Sequence, residues 1–195
     1  CIRDRLSTTL TSCSDDDEKK EETEMKTLTV DATAYNQWVY VNLKDGKTQT
    51  VTMEGSDDES AVTIDWQIAI HRYTEVKTNG GSVVKTDMTD MSKVTTIPTG
   101  GYVADESEQN ILVRFAMPPT DDCYVKSHCN TAMVWTEGSA MAGTLATTNN
   151  VFVLKCKDGT YAKLQFTDFA NARRGTSTKI MRTITLLRGV SKELY

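Results

Sequence analysis

Few side chains in this 195-residue chain are suited to chemistry: two histidines, five cysteines and eight methionines. His71 stands in the alternating run Trp66-Gln67-Ile68-Ala69-Ile70-His71-Arg72-Tyr73, where a hydrogen-bonded structural role is expected. His128 falls between Pro119 and Trp135, in what reads as an exposed loop. Neither histidine offers much to a Ser-His-Asp or Cys-His apparatus. No glycine-rich phosphate loop follows a strand, and the carboxylates gather in the N-terminal tail and in Asp57-Asp58-Glu59, as solvated loops do. Catalysis is therefore not expected. Cys123, His128 and Cys129 lack the spacing of a zinc site. Cys123 and Cys129 are near enough in sequence to staple a short loop in an oxidising compartment. Cys156, on the side of Phe152 and Leu154 in a strand over 151–157, is expected as a buried free thiol.

Methionine is the unusual resource. Met117, Met133 and Met141 cluster around the segment 117–150, which has little regular alternation and is bounded by Pro118-Pro119 and Asn149-Asn150. Each methionine taken alone is more often a packing residue than a ligand. A loop region this long in a tight β domain is usually functional, however. Two thioethers facing each other across an apolar slot would suit haem iron, because soft sulfur is an accepted axial ligand and opposed ligands clamp a flat macrocycle.

The elements that must position these residues read as strands. Nearly every segment after the tail alternates with period two and is rich in Thr, Val, Ile, Tyr and Trp. Strands are predicted over 27–30, 38–43 and 48–53, the last two joined by a turn at Lys44-Asp45-Gly46-Lys47. A half-buried strand is predicted over 62–73, with Trp66, Ile68 and Ile70 inward and Asp65, Gln67 and His71 outward. Ile111, Val113, Phe115 and Met117 align on one face of a strand that Pro118-Pro119 ends. Turns are expected at Asn79-Gly80-Gly81 and Pro98-Thr99-Gly100-Gly101. A hairpin over 151–157 and 161–166 turns at Lys157-Asp158-Gly159-Thr160, and a last strand covers 179–188. Only 167–174 has a weak helical look. The expectation is a single all-β antiparallel domain over 27–195 with little helix, after a disordered tether over 1–26.

Charge and hydropathy narrow the function. A net charge of -5 and no basic stripe argue against nucleic acid. The longest apolar runs, such as Ile111-Leu112-Val113, fall far short of the ~20 residues a membrane helix needs. Any membrane link must then be lipid. Leu10-Thr11-Ser12-Cys13 resembles a bacterial lipobox, and Ser14-Asp15-Asp16-Asp17-Glu18 resembles the surface-export tag of Bacteroidota lipoproteins. The residues after Cys13 are too polar to repay the entropy of folding, as befits a tether. Cys1 to Leu10 lacks an apolar core. Either the chain starts inside its precursor or the lipobox is accidental; lipidation at Cys13 is the expectation.

Four further blocks carry a specific resemblance: Tyr35-Asn36-Gln37-Trp38-Val39-Tyr40, the Asp65 to Tyr73 run, Thr95-Thr96-Ile97-Pro98-Thr99-Gly100-Gly101-Tyr102, and Ala162-Lys163-Leu164-Gln165-Phe166-Thr167-Asp168-Phe169. In this order they resemble the HmuY family of haem-binding lipoproteins, and Leu10 to Cys13 corresponds to that family's lipobox. The resemblance implies an all-β haemophore anchored by lipid at the outer-membrane surface, or released from it, that serves iron acquisition. Such a protein takes haem from host haem-carrying proteins and passes it to a TonB-dependent receptor.

The family implies two axial ligands between Met117 and Asn150, either two histidines or two methionines. This segment is shorter here than in the bis-histidine branch and holds no histidine pair, so bis-histidine ligation is excluded. By position Met141 falls close to the second ligand. The first stays open among Met117, His128 and Met133, with Met117 favoured because Pro118-Pro119 would fix it at a pocket rim. The alternative for Met117 is a place on the core face of Ile111, Val113 and Phe115. Trp38 and Tyr40 share a strand face and either pack against the macrocycle or serve as core aromatics. A second functional class stays open beside the haemophore: a non-catalytic adhesion or protein-docking module whose haem site is lost. A haem-processing enzyme is the weakest reading, since no residue stands out as base or nucleophile.

Overall fold

The structure, a computed structural model, describes residues 25–72, 74–139, 141–169 and 180–187. Strands β1 (Met25–Val30), β2 (Gln37–Val41), β3 (Thr48–Thr52), β4 (Ile68–His71), β5 (Glu75–Thr78), β6 (Ser82–Lys85) and β7 (Val103–Ala104) make up the first half. The second half holds β8 (Ser107–Leu112), β9 (Tyr124–Cys129), β10 (Thr136–Glu137), β11 (Ala146–Thr147), β12 (Val151–Lys155), β13 (Tyr161–Phe169) and β14 (Ile180–Leu187). Every pairing is antiparallel. The order is β1-β14-β13-β12-β6-β7 in a six-stranded sheet and β3-β2-β4-β5 in a four-stranded one, with two separate hairpins, β8-β9 and β10-β11. This is the expected all-β antiparallel class.

Both predicted Asp-Gly hairpin turns form because glycine enters the left-handed region cheaply. Gly46 has φ 78° between β2 and β3, and Gly159 has φ 82° between β12 and β13. Between the two sheets lies the main core: Val39, Val41, Ile68, Ile70 and Val76 from the four-stranded sheet meet Val83, Phe152, Leu154, Leu164 and Phe166 from the six-stranded one. The opposite face of the four-stranded sheet is covered too, where Trp38, Tyr40 and Ala69 pack against Ile111, Val125 and Cys129 of the β8-β9 hairpin. On the far side of the six-stranded sheet, Val151 and Val153 are capped by Met91 and Val94. There the Lys163 ammonium donates to the carbonyls of Met91 and Val94 at 3.0 and 3.1 Å.

Several expectations change with this layering. The half-buried strand over 62–73 is only β4, and all four of its residues are buried, because the hairpin covers the face predicted to meet water. The strand through Ile111 stops at Leu112, leaving Phe115 and Met117 on the surface at 62% and 78% exposure rather than on a core face. The stretch 117–150 is no unbroken loop, since β9, β10 and β11 lie in it, and His128 is an exposed strand residue. Cys123 and Cys129 are both buried free thiols. The extended strand β9 separates them by about 20 Å at ~3.3 Å per residue, so no staple forms. Cys156 is a free thiol, half-buried just beyond β12. The first part of the stretch with a helical look, 167–169, continues β13, and 170–174 lies outside the described residues. So does the tether, apart from Met25 and Lys26, which open β1.

Candidate functional site

Two loops carry the thioethers of Met117 and Met141, more exposed than that of Met88, and each loop is pinned at its base. In the connection from β8 to β9, Val113 N–H donates to the Cys123 carbonyl at 2.8 Å, and Cys123 N–H donates to the Thr120 carbonyl at 2.9 Å. Arg114 forms an ion pair with Asp122 across the same stem, and Asp122 also accepts from the Thr120 hydroxyl at 2.5 Å. Met117 stands near the apex, its bond to Pro118 cis. In the connection from β10 to β11, Thr144 N–H donates to the Ser139 carbonyl at 3.0 Å, and Ser139 N–H to the Thr144 hydroxyl at 3.1 Å. Gly138 has φ 83°, and any Cβ there would collide with the Thr144 carbonyl, so this loop requires glycine at its base. Met141 is at the tip, 98% exposed.

At the foot of the Met117 loop lies a cleft of about 780 Å³, lined by Tyr35, Met53, Val113, Arg114, Phe115 and Tyr124 among others. Its volume is in the range of small-molecule sites, and its walls are largely apolar with one ion pair, Arg114 with Asp122. The Tyr35 and Phe115 rings stand 6.3 Å apart. Tyr35 is held from behind: the Arg72 guanidinium lies 3.6 Å from its ring centroid, and His71 Nε2 bonds to its carbonyl at 2.6 Å. His71 Nδ1 faces Glu75 Oε2 at 3.2 Å. Burial works to raise the Glu75 carboxyl, but hydrogen bonds from His71 and Thr74 outweigh it and hold it below the ordinary carboxylate range. His71 is therefore the hydrogen-bonded structural residue expected of it.

The other predicted residues fall elsewhere. Met133, 1% exposed, is packed in the main core beside Trp135, and His128 lies on the outer face of β9 opposite Glu108. Trp38 and Tyr40 are fully buried between β2 and the β8-β9 hairpin, with the Lys77 ammonium 4.5 and 5.3 Å from their ring centroids. Lys77 pairs with Asp57 at 2.8 Å and Glu59 at 2.7 Å, and the Ser127 hydroxyl donates to the same Asp57 at 2.5 Å. Burial opposes the charge on Lys77, yet these carboxylates prevail and its pKa is raised. Burial pushes the Tyr40 hydroxyl up to about 12. Arg114, Phe115 and Tyr124 had no ligand signal in the sequence; Tyr35 was signalled only as the first residue of a family block.

An antiparallel β protein with a ligand-sized cleft under a methionine-bearing loop is thus defined by fold and geometry. The model of the family described as HmuY protein matches residues 34–182, most of the chain, and the chain belongs to that family. A solved apo HmuY analog from Tannerella forsythia is 29% identical, with a TM-score of 0.69, covering 86% of this chain and 98% of its own. A candidate HmuY-like heme binding protein from Bacteroides vulgatus is also 29% identical, with a TM-score of 0.69 and coverage of 83% and 91%. A candidate lipoprotein from Bacteroides fragilis is 28% identical, with a TM-score of 0.69 and coverage of 84% and 90%. No curated protein matches the sequence. Among the described residues no helix is long and apolar enough to cross a membrane.

Proposed function

We propose that this protein is a haem carrier of the methionine-ligand kind, a haemophore and not an enzyme. The observation that carries the reading is the family match over 34–182, together with the solved likeness of Bacteroides vulgatus described as heme binding. The residues present suit the cargo. Apolar walls from Tyr35, Val113, Phe115 and Tyr124 match a flat macrocycle, and Arg114 would offer a cation to a carboxylate at its rim by exchanging its exposed pair with Asp122. Met117 and Met141 present soft sulfur on pinned loop tips, unburied and available to iron. Met117 and Met141 both lie outside the cleft lining, so in this reading each loop supplies its ligand from beyond that wall. Met133 would have to leave the core to serve, and Trp38 and Tyr40 support the site from behind as packed aromatics.

In the cell, the proposed protein is lipid-anchored through Cys13 at the outer-membrane surface, with residues 1–26 as tether. Haem comes from host carrier proteins and leaves to a TonB-dependent receptor. The likeness to a candidate lipoprotein supports the anchor, and the family supports the route.

Titration of haemin into the purified chain tests the reading. A shifted Soret band is expected, and a spectrum identical to free haemin would reject it in favour of an adhesion or docking module. Met117→Ala and Met141→Ala should each weaken binding, and together abolish the thioether spectrum. Unchanged spectra would move the ligands elsewhere. Thioethers bind no proton at ordinary pH, so haem retention should persist below the imidazole range, whereas loss near pH ~6.5 would implicate His128.

A further inference from the structure

The four-stranded sheet ends in β3, whose outer edge pairs with no other strand among the described residues. The phase of its ladder follows from two backbone bonds: Met53 N–H donates to the Asn36 carbonyl at 2.7 Å and Asn42 N–H to the Lys47 carbonyl at 2.8 Å. Hydrogen-bonded pairs in an antiparallel ladder alternate, so 47, 49, 51 and 53 turn their backbone groups toward β2. Thr48, Thr50 and Thr52 therefore direct their N–H and C=O groups outward, and all three residues are exposed. Two other sheet edges differ from it: β7 is two residues long, and β5 is met by Asn130 N–H, which donates to the Val76 carbonyl at 2.8 Å. The remaining edge of the six-stranded sheet, β1, carries Lys26, one of the residues that blunt an edge. Free edges are normally blunted by lysine, proline or a bulge, and Thr48-Gln49-Thr50-Val51-Thr52 contains none of these. Its composition instead favours strand pairing.

Beside this edge runs a groove of about 520 Å³, lined by Gln49, Val51, Thr52, Glu54, Asp58 and Ala61 among others. Its far wall is pinned by Gln49, whose amide donates to the Ala61 carbonyl at 2.8 Å and accepts from Thr63 N–H at 2.8 Å. The charged residues of the lining are both acidic. We propose that β3 is a docking edge for an extended, cationic segment of a partner protein, which adds as a fifth strand and sets a Lys or Arg over Glu54 and Asp58. The acidic lining favours a basic partner over a second copy, whose own edge would bring the same two carboxylates. The groove and the cleft under Met117 share no lining residue but use alternate residues of 52–56, so the test is run on haem-free protein and its outcome does not depend on haem binding.

The test uses the full chain and two synthetic peptides, acetyl-Lys-Thr-Val-Thr-Val-Thr-Lys-amide and its counterpart with Glu at both ends, read by amide exchange. The Lys-ended peptide should slow exchange at Thr48, Thr50 and Thr52, and the Glu-ended one should not. Thr50→Pro should keep the fold, because that N–H bonds to nothing in β2, and should lose the protection. Glu54→Lys with Asp58→Lys should reverse the preference between peptides, which a purely structural role for these carboxylates would not do. The proposal is overturned by equal protection from both peptides, by none from the Lys-ended one, or by protection that grows with protein concentration alone as the mass doubles.

Discussion

The two faces of the four-stranded sheet are built from alternate residues of the same strands, yet they are held by different forces. On one face Val39, Val41, Ile68, Ile70 and Val76 meet the six-stranded sheet in a contact made of hydrocarbon and aromatic rings. On the other, Trp38, Tyr40, His71 and Lys77 meet the β8-β9 hairpin, with Asp57, Glu59 and Glu75 closing the charges. Apolar contact is non-directional and supplies most of the stability. Buried ion pairs contribute little net energy but penalise misplacement heavily. The hairpin that carries Met117 joins this network through the Ser127 hydroxyl, which donates to Asp57, while the sandwich beneath it supplies stability.

Breaking the apolar face should have the largest effect. Phe152→Ala removes a fully buried ring between the sheets and should cost about 3–5 kcal/mol in denaturant unfolding, with exchange rising throughout both sheets. Lys77→Met should cost about 2–3 kcal/mol, less than a fully enclosed pair because the Glu59 side chain is 46% exposed and can turn to water. Its signature is local: exchange in β8 and β9 should rise more than in β12 and β13, and a uniform rise would remove the distinction between the faces.

Acid sharpens the same contrast. The folded Glu75 carboxyl is held below its ordinary value, so its contribution is present above that value and is lost as pH falls through the lower folded one. Glu75→Gln should flatten that part of the acid unfolding curve, and an unaltered curve would show the His71 contact to be idle. At the alkaline end the raised Lys77 pKa works in reverse, contributing below about 10.5 and fading as pH climbs through the folded value. Smallest of all, Met117→Ala and Met141→Ala should each change stability by less than about 0.5 kcal/mol, since both side chains lie on the surface. A larger loss would mean that these thioethers pack rather than wait for a ligand.

Local pattern identified the elements that depend on neighbours in sequence. The hairpins at Asp45-Gly46 and Asp158-Gly159 and the last strand were readable because turn chemistry and period-two alternation are local properties. Strand β9 was missed although its burial alternates residue by residue, because two of its inward positions are Ser127 and Cys129 and not aliphatics. The face of β4 was misjudged because no local signal says that a hairpin from forty residues downstream will cover it. Met133 and Met141 differ the same way: alike in type and spacing, one lies in the core and one in solvent. The cleft was illegible because Tyr35 and Phe115, its facing rings, are eighty residues apart.

By itself the sequence determined the strand-rich character, the glycine turns and the likeness to HmuY proteins, all of which rest on residue type, spacing and order. Tertiary structure alone decided which methionines reach the surface, where buried charges find their counter-ions and which strands end the sheets. Those outcomes depend on what each face meets across the fold, and burial is a property of pairs of surfaces that no single segment carries.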